Sequence, residues 1–144
     1  MKEKHLQAYM DTAIRFSECS TAERLKVGCI AVKDNKIISI GYNGTPNGCS
    51  SGVCEDGNNK TLPYVVHAEM NMISKLAKGT ESSEGCVVFI THSPCVECAK
   101  LMYQSGISKV YYNNEYRDTS GIDFLKTYGI EVYQLSSLKR TANI

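Results

Sequence analysis

Two short motifs collect the residue types that hold a metal and move protons: His67-Ala68-Glu69, and Pro94-Cys95-Val96-Glu97-Cys98. Cys95 and Cys98 stand three apart in what reads as the first turn of a helix. That spacing puts them on one face, where the positive end of the helix favours their thiolates. With His67 as a third ligand, the set leaves the fourth tetrahedral position of a zinc ion open, which is the arrangement of a catalytic site. Water there ionises near neutral pH. Hydrolysis also needs a carboxylate to carry protons between water and substrate, and Glu69 lies beside the site without being needed as a ligand. A Cys-x-x-Cys alone reads equally well as a redox pair or half of a zinc ribbon, with His67 and Glu69 capping a helix. Neither alternative calls for His-x-Glu upstream, and a ribbon shows a second Cys-x-x-Cys.

These residues need elements to position them. Leu6, Tyr9, Met10, Ala13, Ile14 and Phe16 recur at helical intervals and predict an amphipathic helix from Lys2 to about Glu18. Val27 to Val32 and Lys36 to Ile40, around Asp34-Asn35, read as a hairpin. From Gly41 to Pro63 the chain has turn composition and no period, too long for a plain connector, which predicts a functional loop. A second helix runs from His67 to Lys78, stopped at Gly79, and Cys86 to Thr91 suits a buried strand. Ser93-Pro94 then reads as the N-cap and first residue of a helix through Ser105. Lys109 to Tyr112, Gly121 to Tyr128 and Ile130 to Leu135 repeat strand, helix, strand. The order α-β-β-α-β-α-β-α-β predicts an α/β fold whose second half pairs in parallel beneath helices.

Length and composition set the frame. At 144 residues, with 42% hydrophobic and 22% charged residues, the chain fits one folded domain, 1–144, and not a disordered one. Sixteen Lys and Arg against 15 Asp and Glu give +1, with none of the basic excess that grips a phosphate backbone, so nucleic acid is not the expected partner. No apolar run approaches a membrane span and the N-terminus lacks the apolar stretch of a signal peptide, so a cytoplasmic protein with no membrane partner is expected. Seven cysteines, an odd number, argue against a closed set of disulfides. Cys29 and Cys86, inside apolar strands, read as core.

The pairing of H-x-E with P-C-x-x-C resembles the zinc-dependent cytidine deaminase superfamily. Further motifs are similar to its deoxycytidylate (dCMP) deaminases of phage and bacterial type: Val27-Gly28, Gly41-Tyr42-Asn43-Gly44 followed by Pro46, Gly48 and Cys49, His67-Ala68-Glu69-Met70-Asn71, and Gln104-Ser105-Gly106-Ile107. The resemblance implies a three-layer α/β/α fold with a central five-stranded mixed sheet. It implies zinc on His67, Cys95 and Cys98, Glu69 as proton shuttle, and hydrolysis of dCMP to dUMP and ammonia. Asn43 matches a residue that binds the sugar, though its Gly-rich setting also suits a turn. For the substrate phosphate the basic choices are Arg117 first, then Arg24 and Lys26, with Tyr116 to stack on the base; each is equally readable as a surface residue. Arg24 is also read as an effector contact.

The same resemblance implies a homo-oligomer, a hexamer, activated by dCTP with Mg2+ and inhibited by dTTP at a separate site including Gly41, Tyr42, Asn43, Gly44 and Asn71. Some phage relatives carry a second, structural zinc. Here it would draw on Cys19, Cys49 and Cys54, and the fourth ligand would have to be His5 or His92. Two other readings are open: a deaminase of tRNA adenosine or single-stranded DNA cytosine, disfavoured by the near-neutral charge, and an inactive nucleotide-sensing zinc protein, disfavoured by an intact Glu69.

Overall fold

The computed structural model describes residues 1–135. Four helices and five strands alternate as the sequence pattern predicts: α1 (Glu3–Ser17), β1 (Gly28–Lys33), β2 (Lys36–Tyr42), α2 (Ala68–Ala77), β3 (Val87–His92), α3 (Val96–Gln104), β4 (Lys109–Asn114), α4 (Ser120–Thr127) and β5 (Glu131–Gln134). The strands form one sheet in the order β2-β1-β3-β4-β5. β1 runs antiparallel to β2 and β3, while β3, β4 and β5 are parallel, so the sheet is mixed. Asp34 and Asn35 both take positive φ, 51° and 59°, the two-residue turn whose twist matches a hairpin.

Side chains alternate across the sheet. Cys29, Ala31, Val88, Ile90, Val110 and Val132 face Ala68, Met72, Ala99, Met102, Ile122 and Leu125 of α2, α3 and α4. Ile30, Val32 and Phe89 face Met10 and Ala13 of α1 on the opposite side. The result is the expected three-layer α/β/α arrangement, and Cys29 and Cys86 are core residues with no exposure. Among the described residues no helix is long and apolar enough to cross a membrane. The last nine residues of the expected domain 1–144 lie outside the described residues.

One predicted helix start is corrected. Cys95, extended at φ −70° and ψ 166°, is the N-cap of α3, and Ser93 is not. The Ser93 hydroxyl instead accepts the N–H of Tyr116 at 2.7 Å, tying the loop after β4 to the turn after β3. The 41–63 segment is irregular apart from two isolated bridges, Gly44 with Val66 and Glu55 with Thr61. Ligand sites in open α/β sheets lie off the carboxyl ends of parallel strands. Here the turn after β3 holds Cys95 and the loop after β4 holds Tyr116 and Arg117.

Candidate active site

His67 and Cys95 are the N-caps of α2 and α3. Their side chains meet between the two helix starts. The Cys95 sulfur lies 3.7 Å from His67 Nδ1, and the Cys98 sulfur, one turn into α3, lies 3.3 Å from the same nitrogen. A tetrahedral zinc with bonds of about 2.05 Å to nitrogen and about 2.3 Å to sulfur sets N···S separations near 3.6 Å. The observed distances bracket that value. Among the described residues, these are the three metal-type donors that converge, all within 4.8 Å of one another.

Electrostatics favour cation binding. Hydrogen bonds from the Cys98 thiol and from His67 lower the pKa of Cys95 to about 4, so one thiolate is already present. Its hydrogen bond to that thiolate, then burial, push Cys98 up. His67 is raised, chiefly by its bond to Cys95. Two helix N-termini add their partial positive charge to stabilise thiolate.

Glu69, in the first turn of α2, is 4% exposed. Burial raises its pKa above the usual carboxylate range, opposed by its own backbone N–H and by His67. An upward shift of a buried carboxyl group is of the kind that suits a proton-transfer residue. Two glycines let the pieces meet. A Cβ on Gly41 would collide with the Ala68 carbonyl and approach the Met72 nitrogen at 2.6 Å, so β2 can carry the first turn of α2 only because that residue is glycine. A Cβ on Gly121 would strike the Pro94 carbonyl and come within 2.9 Å of the Cys95 carbonyl, so α4 rests directly on the metal-ligand turn.

The site opens into a cavity of about 470 Å³, walled by His67, Glu69 and Cys95 together with Asn43, Arg24, Tyr116 and Arg117. Lys26 is exposed and lies outside that wall. The Asn43 amide is already engaged: its oxygen accepts the Val27 N–H at 2.9 Å and its nitrogen donates to the Leu25 carbonyl at 2.8 Å. One amide N–H and one lone pair remain for a ligand. The Arg117 guanidinium lies 6.0 Å from the Tyr116 ring centre. His92 also lines the cavity. Its Nδ1 lies 3.0 Å from the Thr91 hydroxyl, which accepts the Gly28 N–H, so the hydroxyl proton is free to satisfy a neutral imidazole. Burial lowers the His92 pKa in the same sense.

Sequence reasoning missed Glu55, Thr61 and Glu115 in the wall. Glu55 and Thr61 come from the segment without period, where only the tertiary bridge pairs them. A second cavity, about 360 Å³, is lined by Tyr42, Asn43, Gly44 and Asn71, with Cys19 and Cys49. Gly41 is absent from its wall and buried beneath α2. Cys19, Cys49 and Cys54 do not assemble a second metal cluster within the described residues. The Cys54 thiol is buried against Thr21 Oγ1 and the Gly52 carbonyl, and the Cys49 thiol donates to the Ser51 carbonyl at 3.2 Å.

A mixed five-stranded sheet whose helix N-termini press a His-x-Glu against a Cys-x-x-Cys is the cytidine deaminase-like fold, and its donor set is that of a zinc protein. The chain belongs to the cytidine and deoxycytidylate deaminase family, whose zinc-binding region matches residues 3–114. It is 39% identical over 119 residues to human deoxycytidylate deaminase, covering 77% of this chain and 66% of that protein, so it spans just under two thirds of that relative's length. ComE operon protein 2 of Bacillus subtilis is 38% identical over 104 residues, 68% of this chain and 53% of that protein. The dCMP deaminase of cyanophage S-TIM5, solved in complex with dCMP and dUMP, superposes with a TM-score of 0.92 at 48% identity, over 94% of this chain and 99% of that one.

Proposed function

We propose that this protein hydrolyses dCMP to dUMP and ammonia, as a single domain over 1–144 acting in the cytoplasm on pyrimidine nucleotides. The observation that carries the reading is the cavity, which His67, Cys95 and buried Glu69 line together with two arginines, Arg24 and Arg117. Such a pocket suits a base that is to be hydrolysed and a 5′-phosphate that must be neutralised. The similarity to the cyanophage enzyme supports the same substrate.

His67, Cys95 and Cys98 would hold a zinc ion, which when bound would supply the Lewis acidity that lowers the pKa of water to about 7. The chain does the rest. Glu69 takes a proton from the attacking water and gives it to N3 of cytosine as C4 is attacked, then takes the proton of the new C4 hydroxyl and passes it to the amino group, which departs as ammonia as the C4 carbonyl forms. Burial, which raises its pKa, favours its carrying a proton within that cycle. Asn43 offers its remaining N–H and lone pair to the sugar, Tyr116 stacks on the base, and Arg117 and Arg24 take the phosphate; Lys26, outside the cavity wall, adds charge at longer range.

Regulation belongs to the same proposal. dCTP with Mg2+ activates, and dTTP inhibits, at the second cavity beside Tyr42, Gly44 and Asn71, in a homo-hexamer. Asn43 lines both cavities, so one residue is within reach of substrate and effector. The test follows loss of cytosine absorbance with dCMP, dCTP, deoxycytidine and a short single-stranded oligonucleotide, each with and without dCTP and Mg2+ where dCTP is not the substrate. Turnover of dCMP above all others, rising with dCTP, is expected. Turnover of the oligonucleotide alone, or of nothing despite bound zinc, overturns the reading.

A further inference from the structure

The segment 54–62 is a small closed hairpin grafted onto the edge of the cavity. The Leu62 N–H donates to the Cys54 carbonyl and the Asp56 N–H to the Lys60 carbonyl, each at 2.8 Å. The Asp56 carboxylate accepts the N–H groups of Asn58 and Lys60 at 2.8 and 3.0 Å, which braces the tip. The two strands of this hairpin hold opposite ends of one residue. From one strand, the Glu55 carboxylate accepts the backbone N–H of Glu23, at 3.1 and 3.2 Å, and of Arg24, at 3.2 Å. From the other, Thr61 Oγ1 accepts the Arg24 guanidinium Nη1 at 3.1 Å. Arg24, Glu55 and Thr61 all line the cavity that contains Glu69.

An arginine on an irregular loop between a helix and a strand has many rotamers, and fixing both backbone and guanidinium removes most of the entropy lost on binding an anion. A carboxylate in the wall of a pocket for an anion is unfavourable unless its charge is directed elsewhere. Here both Glu55 oxygens face adjacent backbone N–H groups, which a carboxylate satisfies better than a neutral acceptor. The next residues are held from the opposite side by the Asn43 amide on Leu25 and Val27, so the whole stretch 23–27 is pinned at the cavity rim.

We propose that the 54–62 hairpin makes the site selective for 5′-monophosphates over nucleosides, with Glu55 as a positioning residue that presents Arg24 to the phosphate. The inference rests on the proposed action on dCMP and adds to it the element responsible for phosphate recognition. Glu55 touches no reacting atom; it acts through Arg24.

The experiment compares kcat/KM for dCMP with that for deoxycytidine in the full-length zinc-loaded protein. Glu55→Ala is expected to lower the dCMP-to-deoxycytidine ratio about tenfold, and Glu55→Gln, which keeps one acceptor oxygen, to restore it to within about threefold of the parent. Thr61→Val, close to isosteric, removes only the guanidinium's acceptor and is expected to lower the ratio in the same direction; it carries the test if Glu55→Ala does not fold. Inhibition by dUMP relative to deoxyuridine reports the same ratio without turnover. An unchanged ratio, or equal losses on both substrates, overturns the proposal while leaving dCMP deamination intact. A parent protein that shows no preference for dCMP overturns both.

Discussion

Gly121→Ala sets helix propensity against steric fit at the metal-ligand turn. Alanine in place of glycine within a helix gains up to about 1 kcal/mol, less near the first turn, where Gly121 sits. Against this, the new Cβ would strike the Pro94 carbonyl oxygen and stand 2.9 Å from the carbonyl carbon and oxygen of Cys95. These are backbone atoms, which cannot rotate away as a side chain tip can. α4 cannot easily retreat either, because the Asp118 carboxylate accepts the Ser120 N–H at 3.0 Å and Ile122 and Leu125 are buried in the core. Overpacking of this kind costs about 1–3 kcal/mol, which, less about 0.5 kcal/mol of helix propensity, leaves a net loss of about 0.5–2.5 kcal/mol. The residue displaced is a metal ligand whose sulfur must stay near 3.7 Å from His67 Nδ1. Restoring that geometry on metal binding moves the same free energy into affinity, so zinc is expected to bind about 2- to 70-fold more weakly. Competition with a chromophoric zinc chelator measures the affinity, and melting of metal-free and loaded protein separates fold from site, at roughly 2–4 °C per kcal/mol. A variant that is more stable when metal-free and binds zinc as tightly as the parent would refute the reasoning, since α4 would then not constrain the turn.

Three further outcomes are expected. Glu69→Gln keeps the shape of a side chain that is not a ligand, so zinc content stays at that of the parent while turnover of dCMP falls about 10²- to 10⁴-fold; metal analysis beside the activity assay checks both, and retained turnover removes Glu69 from the mechanism. In chelated protein at pH 6, Cys95, with its pKa near 4, is fully thiolate and partly exposed, whereas Cys98 is buried and held as the thiol. Brief iodoacetamide treatment is expected to label Cys95 and spare Cys98, with zinc protecting both, as read by peptide mapping. The fold favours neutral His92, so stability is greatest above its unfolded pKa of about 6.5 and declines as pH falls through that value toward the lower folded pKa. Urea unfolding of the parent and of His92→Gln between pH 7.5 and 5.5 should show a smaller decline in the variant; equal slopes would assign the decline to other groups.

The order of helices and strands was legible because each is an amphipathic or apolar run long enough for its period to emerge, and the alternation of strand with helix dictated parallel pairing of β3, β4 and β5. Helix termini were less legible. Ser93-Pro94 has the composition of a helix start, but the Ser93 hydroxyl is taken by Tyr116, 23 residues away, and the cap falls to Cys95. Lys26 and Arg24 are two residues apart and look equivalent as phosphate ligands; only the bonds from the 54–62 hairpin distinguish the one in the wall from the one outside it. Gly41 reads as part of a binding loop, and the packing of α2 on β2 also requires it to be glycine, a contact the sequence did not reveal.

The residue types for the chemistry were legible in the sequence: His-x-Glu and Pro-Cys-x-x-Cys are local spacings that place metal-type donors and a carboxylate at the starts of two helices. The tertiary structure decided how those pieces meet and what they face. The His67 to Cys98 contact spans 31 residues, the Glu55 clamp on Arg24 spans 31, and the seat of α4 on Cys95 depends on Gly121 lacking a Cβ. Contacts of that range arise from packing against one shared sheet, and side-chain periodicity along the chain reports the sheet's two faces but not which distant residues its edges bring together.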